Sequence, residues 1–188
     1  MTFSNVKKLF GLGLLSAVLV TSCTKKDVDE ENHDNELITT LQLQFTPVGG
    51  GTTKTFTWKD LDGDGGNAPV IDLIELPVNT TYTFAVKVLD ESKNPVEDIT
   101  EEIVADADNH RFYYVPGEGA DIKITNLNKD ANNVTLGSTG QWQTSTAVNK
   151  NVRIVLRHYS RGGKQEADLI NDSKSSSDID VTFPYVVK

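Results

Sequence analysis

The chain is poor in several residue types that define familiar protein classes. Its 188 residues include one cysteine, and aromatic residues make up 7%. A single cysteine excludes an internal disulfide, a cysteine-rich zinc module and a dithiol redox pair. Basic residues are also few, because 18 Lys and Arg face 27 Asp and Glu, giving a formal net charge of −9. Nucleic acid is therefore not an expected partner, since binding to phosphates needs clustered cations.

Long apolar runs are scarce as well, and the mean hydropathy is −0.34. The one notable run covers residues 9–20 and follows the positive pair Lys7 and Lys8. As a helix this run rises only about 18 Å, well short of the roughly 30 Å hydrocarbon core of a bilayer. The pattern predicts a secretory signal peptide over residues 1–22 and argues against a transmembrane helix.

The residues after the apolar run are Val20, Thr21, Ser22 and Cys23. They resemble the bacterial lipobox, in which an aliphatic residue and two small residues precede a cysteine. The resemblance implies cleavage after Ser22 and attachment of lipid to the Cys23 sulfur, and the alternative is a free cysteine after an ordinary signal peptide. Two or more acyl chains, at about 0.8 kcal/mol per buried CH₂, hold a protein stably on a membrane.

Residues 23–36 form a polar, mostly acidic segment with no helical or strand period, which predicts a lipidated acidic tether. Cleavage after Ser22 leaves 16 basic against 27 acidic side chains, a net charge of −11. A lysine followed by acidic residues behind the lipidated cysteine is similar to the export signal of Bacteroidota surface lipoproteins. The resemblance implies an outer-membrane protein displayed on the cell surface, and a periplasm-facing position is the alternative.

From residue 37 onward the apolar residues recur with a period close to two, which is typical of half-buried strands. In residues 81–89, for example, Tyr82, Phe84, Val86 and Val88 fall on one face. Nine strands are predicted, at 37–45, 55–58, 68–76, 81–89, 110–115, 120–127, 141–144, 151–158 and 178–187. Residues 97–106 fit either a helical turn or an irregular edge strand. We predict an all-β fold, a single antiparallel immunoglobulin-like β-sandwich over residues 37–188.

Residues 31–40, 59–66 and 89–102 together resemble small Bacteroidota lipoproteins, and the likeness extends to the strand at 181–184. Proteins of this kind tend to carry the label "type 1 periplasmic binding fold superfamily". That label implies a doubly wound α/β fold, whereas the strand pattern predicts β structure throughout. The resemblance implies a cell-envelope location and no defined activity.

Two sets of residues are candidates for a divalent metal. Asp60, Asp62 and Asp64 match the first half of a calcium loop, but the twelfth position is Ile71 where an EF-hand needs glutamate. The alternative is an ordinary hairpin rich in Gly and Asp. His33 and His110 each have acidic neighbours, a combination that suits zinc, and the alternative is that they are exposed polar histidines without a ligand.

No sequence motif indicates catalysis, because the chain has no Gly-x-Ser-x-Gly elbow and no cysteine besides the lipidated one. Most aromatic residues fall at core positions of strands, but residues 112–114 are three aromatics in a row and cannot all point inward. We therefore expect a non-catalytic binding or accessory module without a cofactor, anchored to the membrane and acting on an outer-membrane receptor or a glycan. The alternative is a lipoprotein that binds Ca²⁺ or Zn²⁺.

Overall fold

A computed structural model describes residues 37–63, 65–160 and 163–188. These residues form eleven strands and one helix. The elements are β1 (Thr40–Pro47), β2 (Lys54–Lys59), β3 (Val70–Ile71), β4 (Ile74–Leu76), β5 (Thr81–Asp90), β6 (Glu97–Asp98), α1 (Ile99–Ala105), β7 (His110–Pro116), β8 (Ile122–Thr125), β9 (Thr139–Thr144), β10 (Val148–Tyr159) and β11 (Ser175–Val187).

The strands form two sheets. The first sheet has the order β3-β2-β1-β5-β9-β8, with β6 added beside β5, and the second has the order β4-β11-β10-β7. Neighbouring strands of the described chain are antiparallel except β4, which runs parallel to β11. The prediction of an all-β sandwich is confirmed, and a doubly wound α/β architecture does not describe these residues. The immunoglobulin-like subtype stays a prediction.

Strict alternation of apolar residues builds the core between the sheets. The predicted face of β5 is buried, from Tyr82 to Val88, and β10 contributes Val152, Ile154 and Leu156. Trp142 is the largest fully buried side chain, and its ring meets Phe45 edge-on with centroids 5.3 Å apart. Because successive side chains of a strand point to opposite faces, each of these strands places one apolar row into a shared core.

The predicted single strand at 68–76 is wrong in one respect, because the structure divides it between the two sheets. Its first part, β3, lies at the edge of the first sheet, while β4 lies at the edge of the second. Asp72 lies between them: its N–H donates to the Thr57 carbonyl (2.9 Å) and its carboxylate accepts from the Thr57 N–H (2.8 Å). The sequence does not reveal this change of sheet, since apolar residues occur on both sides of the crossing, at Val70 and Ile71 and again at Ile74 and Leu76.

The segment left open between helix and strand contains the helix α1. The Asp98 carboxylate accepts from the Thr100 N–H (3.2 Å) and so caps the first turn. Ile99 and Ile103 are four residues apart and both are buried, because that spacing places them on the same face of a helix. The helix delivers the chain to the start of β7, where the polar cluster described below is found.

In the part of the chain that the structure describes, no helix is long and apolar enough to cross a bilayer. The signal peptide at 1–22, the lipidated tether at 23–36 with Cys23, and His33 lie outside the described residues.

Candidate functional site

Two histidines meet where β7 begins. His110 opens β7 and is directly opposite His158 of β10 in the antiparallel register, so both side chains are on one face. Their rings stack with centroids 4.5 Å apart and planes inclined by 26°. The His110 ring is about nine-tenths buried, and its Nδ1 donates to the Asp106 carbonyl at 3.0 Å. This hydrogen bond fixes the ring against the end of α1.

Two carboxylates are close to the same imidazole. Asp106 Oδ2 is 3.7 Å from His110 Nδ1, and Asp178 Oδ2 is 3.9 Å from Nε2 on the opposite side of the ring. Asp106, His110 and His158 each offer one ligand atom, and these three atoms lie within 4.8 Å of one another. Imidazole nitrogens together with a carboxylate form a donor set that suits a divalent transition metal.

Asp178 reaches this cluster because it is the extra residue of a β-bulge. Leu156 pairs with Ile179 and Arg157 pairs with Ser177, which leaves Asp178 without a partner in the register. A bulge redirects one side chain out of the regular alternation. Burial raises the pKa of Asp178 to about 6, although the neighbouring His110 and Arg157 favour its charged form and so oppose this rise.

A buried lysine holds the backbone of this region. Lys164 Nζ donates to the carbonyls of Ala107 (2.6 Å) and His110 (2.8 Å), and forms an ion pair with Asp130 at 3.1 Å. Both charged side chains are almost completely buried. Burial lowers the pKa of Lys164, while the Asp130 carboxylate partly offsets that shift. The loop after β10 is thereby attached to the segment that carries His110.

An open groove of about 440 Å³ lies beside the cluster, between the two sheets. It is lined by Leu37, Ile38, Trp58, Asp60, Gly63 and residues 177–181. Asp178 contributes both to this groove and to the surroundings of His110. The groove therefore brings Asp60, one of the predicted calcium ligands, to the same end of the sandwich as the histidines.

The predicted calcium ligands occupy the turn between β2 and β3. Asp60 Oδ1 accepts from the Gly63 N–H (2.9 Å), and Asp62 Oδ2 accepts from the N–H (3.0 Å) and the side-chain amide (2.6 Å) of Asn67. The bonds from Asn67 lower the pKa of the Asp62 carboxyl. Asp64 lies outside the described residues. Both described carboxylates thus stabilise the turn itself, and calcium binding there stays a prediction.

The aromatic run at 112–114 is held by contacts within the domain. Phe112 is buried in the core, and Tyr114 OH donates to the Gly137 carbonyl at 2.6 Å. Tyr113 OH is 2.6 Å from Tyr159 OH and donates to a backbone carbonyl of the loop after β10. Burial raises the pKa of both Tyr113 and Tyr114. These contacts hold the three rings within the domain, and a glycan partner stays a prediction.

A group of exposed apolar side chains lies at the edge of the first sheet. Within residues 61–73, four large hydrophobic side chains are exposed: Leu61, Val70, Ile71 and Leu73. Val70 is the most exposed of them, at 71%. β3 is the end strand of its sheet and pairs only with β2, so its outer backbone edge faces away from the described sheet. Exposed apolar residues on an edge strand are unusual in a protein without a partner.

Sequence reasoning selects His110 but neither His158 nor Asp178. The signal available for His158 is its place near the end of a strand, as His110 is near the start of another, yet only the register shows that the two are opposite each other. Asp178 gives no signal, because a bulge is not visible in an alternating pattern. No family model, curated protein or solved structure matches this chain.

Proposed function

We propose that this protein is an outer-membrane lipoprotein, displayed on the cell surface, whose β-sandwich acts as a non-catalytic binding module beside an outer-membrane receptor. The exposed apolar edge formed by Leu61, Val70, Ile71 and Leu73, hereafter the β3 edge, carries this proposal. An extended segment of a receptor would add a strand beside β3, forming backbone hydrogen bonds and covering the apolar side chains.

Charge complementarity supports a protein partner with basic residues beside that segment. The turn next to β3 contains Asp60 and Asp62, and the chain from Cys23 onward has a net charge of −11, with 16 basic and 27 acidic side chains. An acidic surface attracts a basic one and accelerates association, while the apolar contact supplies most of the affinity. The same acidity disfavours nucleic acid as a partner.

The anchor and tether fit this role. Lipid on Cys23 would confine the module to the membrane surface, and residues 23–36 would allow it to move about 20 Å from the anchor as a flexible chain. Confinement near the receptor raises the effective concentration of the module, so even a weak contact at the β3 edge would be occupied.

The binding role is tested by incorporating a photo-crosslinking amino acid at position 70 of the protein and irradiating intact cells that express it. The matched control is position 104, because Val104 is also exposed, at 50%, but lies on α1. We expect a discrete crosslink to one outer-membrane protein from position 70 and none from position 104. Equal crosslinking from both positions, or none from either, contradicts the proposal.

The anchor is tested separately. Wild-type protein should incorporate labelled fatty acid and sediment with membranes, whereas Cys23→Ser should do neither. Protease added to intact cells should degrade the protein if it is on the outer leaflet and spare it if it faces the periplasm. An unlabelled wild-type protein that stays in the soluble fraction contradicts the lipoprotein assignment.

A second candidate function is divalent-metal binding. It is favoured by one observation, the meeting of Asp106, His110 and His158 at the start of β7. This group of three residues differs from the metal-ligand sets predicted from the sequence, because it shares only His110 with them. Calorimetric titration with Zn²⁺ and Ca²⁺ tests the function, and the absence of binding by either ion contradicts it.

A further inference from the structure

The three ligand atoms of Asp106, His110 and His158 are close to the arrangement that a small cation requires. In a tetrahedral site with bonds near 2.1 Å the ligand atoms are about 3.4 Å apart. Here they lie within 4.8 Å of one another, so pairs of ligand atoms have to approach by at most about 1.4 Å through side-chain rotation. β7 and β10 hold the two histidines in direct register, so both imidazoles start on the same face of the sheet.

We propose that this cluster is a site for one transition-metal ion of the Zn²⁺ class, with Nδ1 of His110, a ring nitrogen of His158 and the carboxylate of Asp106 as its ligands. The proposal rests on the metal-binding candidate function and deepens it by naming the ion class and the ligands. It is independent of the β3 edge, because the two sets of residues have no member in common.

The assignment of Nδ1 follows from the positions of the two carboxylates. Asp106 Oδ2 is on the Nδ1 side of His110, and Asp178 Oδ2 is 3.9 Å away on the Nε2 side. An ion bound by Nδ1 requires that the proton reside on Nε2, where it would face the Asp178 carboxylate. Metal-binding histidines usually donate their second N–H to a carboxylate or a carbonyl, which orients the ring. Asp178, placed by the bulge, is suited to that role.

Binding exchanges one hydrogen bond for a metal bond. Without the ion, His110 Nδ1 donates to the Asp106 carbonyl, since a carbonyl can only accept. The ion takes the lone pair of Nδ1, that hydrogen bond is lost, and the ring proton is carried by Nε2. The Asp106 carboxylate can be reached from the surface, because its side chain is 48% exposed. The Asn109 amide donates to both of its oxygens.

The donor set selects the class of ion. Two imidazole nitrogens and one carboxylate suit Zn²⁺, Co²⁺ or Ni²⁺, whereas Ca²⁺ takes six to eight oxygen ligands. Three protein ligands leave a fourth position for water or for a group of a partner molecule. The buried Lys164 stabilises the site, because its hydrogen bond to the His110 carbonyl fixes the backbone that carries the His110 ligand.

The test uses the full chain carrying Cys23→Ser, since a free thiolate is itself a zinc ligand. Calorimetry with ZnCl₂ should show one ion bound per chain, and CaCl₂ should show no binding at this site. His158→Gln, His110→Gln and Asp106→Asn should each weaken zinc binding by about tenfold or more. His33→Gln is the matched control, because His33 is the remaining histidine of the chain, and it should leave zinc affinity unchanged.

A second measurement keeps the proposal testable if His110→Gln does not fold. Zinc should shift the ring-proton NMR signals of two of the three histidines, those assigned to His110 and His158, and leave that of His33 in place. No zinc binding by the parent chain overturns this proposal, and no binding of either Zn²⁺ or Ca²⁺ overturns the metal-binding function altogether. Zinc binding that survives in folded His158→Gln and Asp106→Asn retains metal binding as a function but overturns this site.

Discussion

The middle of the sandwich and the end where β7 begins are both buried, but they are built from opposite chemistry. Around Trp142 the interior is aromatic and apolar, and its rings meet edge-on. Around His110 the buried side chains include those of Lys164 and Asp130, and the His110 ring stacks on the half-buried ring of His158. Apolar side chains pack in many arrangements, whereas a buried charge needs its partner at hydrogen-bond distance. The polar end therefore depends on a few exact contacts and the middle on many interchangeable ones.

Truncating the middle should produce the largest loss of stability. Trp142 is completely buried and contacts both Phe45 and Phe84, so Trp142→Ala leaves a large cavity. We expect the free energy of unfolding to fall by about 3–5 kcal/mol in a chemical denaturation experiment. Val104→Ala, at an exposed position of α1, is the control and should change it by less than about 0.5 kcal/mol. A loss below 1 kcal/mol for the tryptophan variant would show that the middle is not close-packed.

At the polar end, removing one partner of the buried ion pair between Asp130 and Lys164 should lower the free energy of unfolding nearly as much as Trp142→Ala does. Asp130→Ala leaves the Lys164 ammonium buried with carbonyl partners but without its counter-ion. We expect a loss of about 3 kcal/mol, because an unpaired buried charge is strongly unfavourable. Glu75→Ala is the control: it removes the exposed pair between Glu75 and Lys188, which is worth at most about 1 kcal/mol. Equal losses for the two variants would contradict the contrast between buried and exposed pairs.

Acid should weaken the same buried pair. Burial by itself would raise the pKa of Asp130, but the Val134 N–H and Lys164 outweigh it, so its pKa is below the ordinary value of 3.8. The carboxylate therefore contributes stability at pH above 3.8, and this contribution is lost as the pH falls through the lowered folded-state pKa. We expect the difference in unfolding free energy between wild type and Asp130→Asn to be constant at neutral pH and to shrink below pH 3.8. A difference that does not change with acid would refute this.

The smallest effect concerns one hydroxyl in the apolar interior. Tyr185 OH is buried and has no hydrogen-bond partner in the described chain, so its removal costs nothing and relieves an unsatisfied group. We expect Tyr185→Phe to be neutral or to stabilise by up to about 1 kcal/mol. Tyr114→Phe is the matched variant and should destabilise by about 1 kcal/mol, because the Tyr114 hydroxyl donates to Gly137. A melting experiment in which both variants shift in the same direction would disagree with this assignment.

Much of the fold could be predicted from the sequence, because a strand that is buried on one face has apolar residues at every second position. The strand at 81–89 and the buried row from Tyr82 to Val88 are found as predicted. The division of 68–76 into β3 and β4 could not be predicted, since the pattern is the same whichever sheet receives the strand. The helix α1 stayed ambiguous because its seven residues are too few to establish a period.

The candidate site divides in the same way. His110 and its acidic neighbour Asp106 are close in sequence, so their association could be predicted from spacing alone. Asp60 and Asp62 could also be identified in the sequence as metal candidates, and the structure shows their carboxylates in hydrogen bonds within a turn. His158 and Asp178 come from distant strands, and their approach to His110 depends on the register of β10 and on a bulge in β11.

By itself the sequence determined the alternating rows that make this an all-β domain, because the period of side chains along a strand is a local property of the backbone. Only the tertiary structure decided which polar groups share the buried end of the sandwich. Lys164, Asp130 and His158 are brought to the His110 region by contacts between residues 34–57 positions apart along the chain, and no local pattern encodes such distances. The physical reason is that an apolar row can be buried against any apolar surface. A buried charge or imidazole is stable only where the fold supplies a hydrogen-bond or ion-pair partner for it.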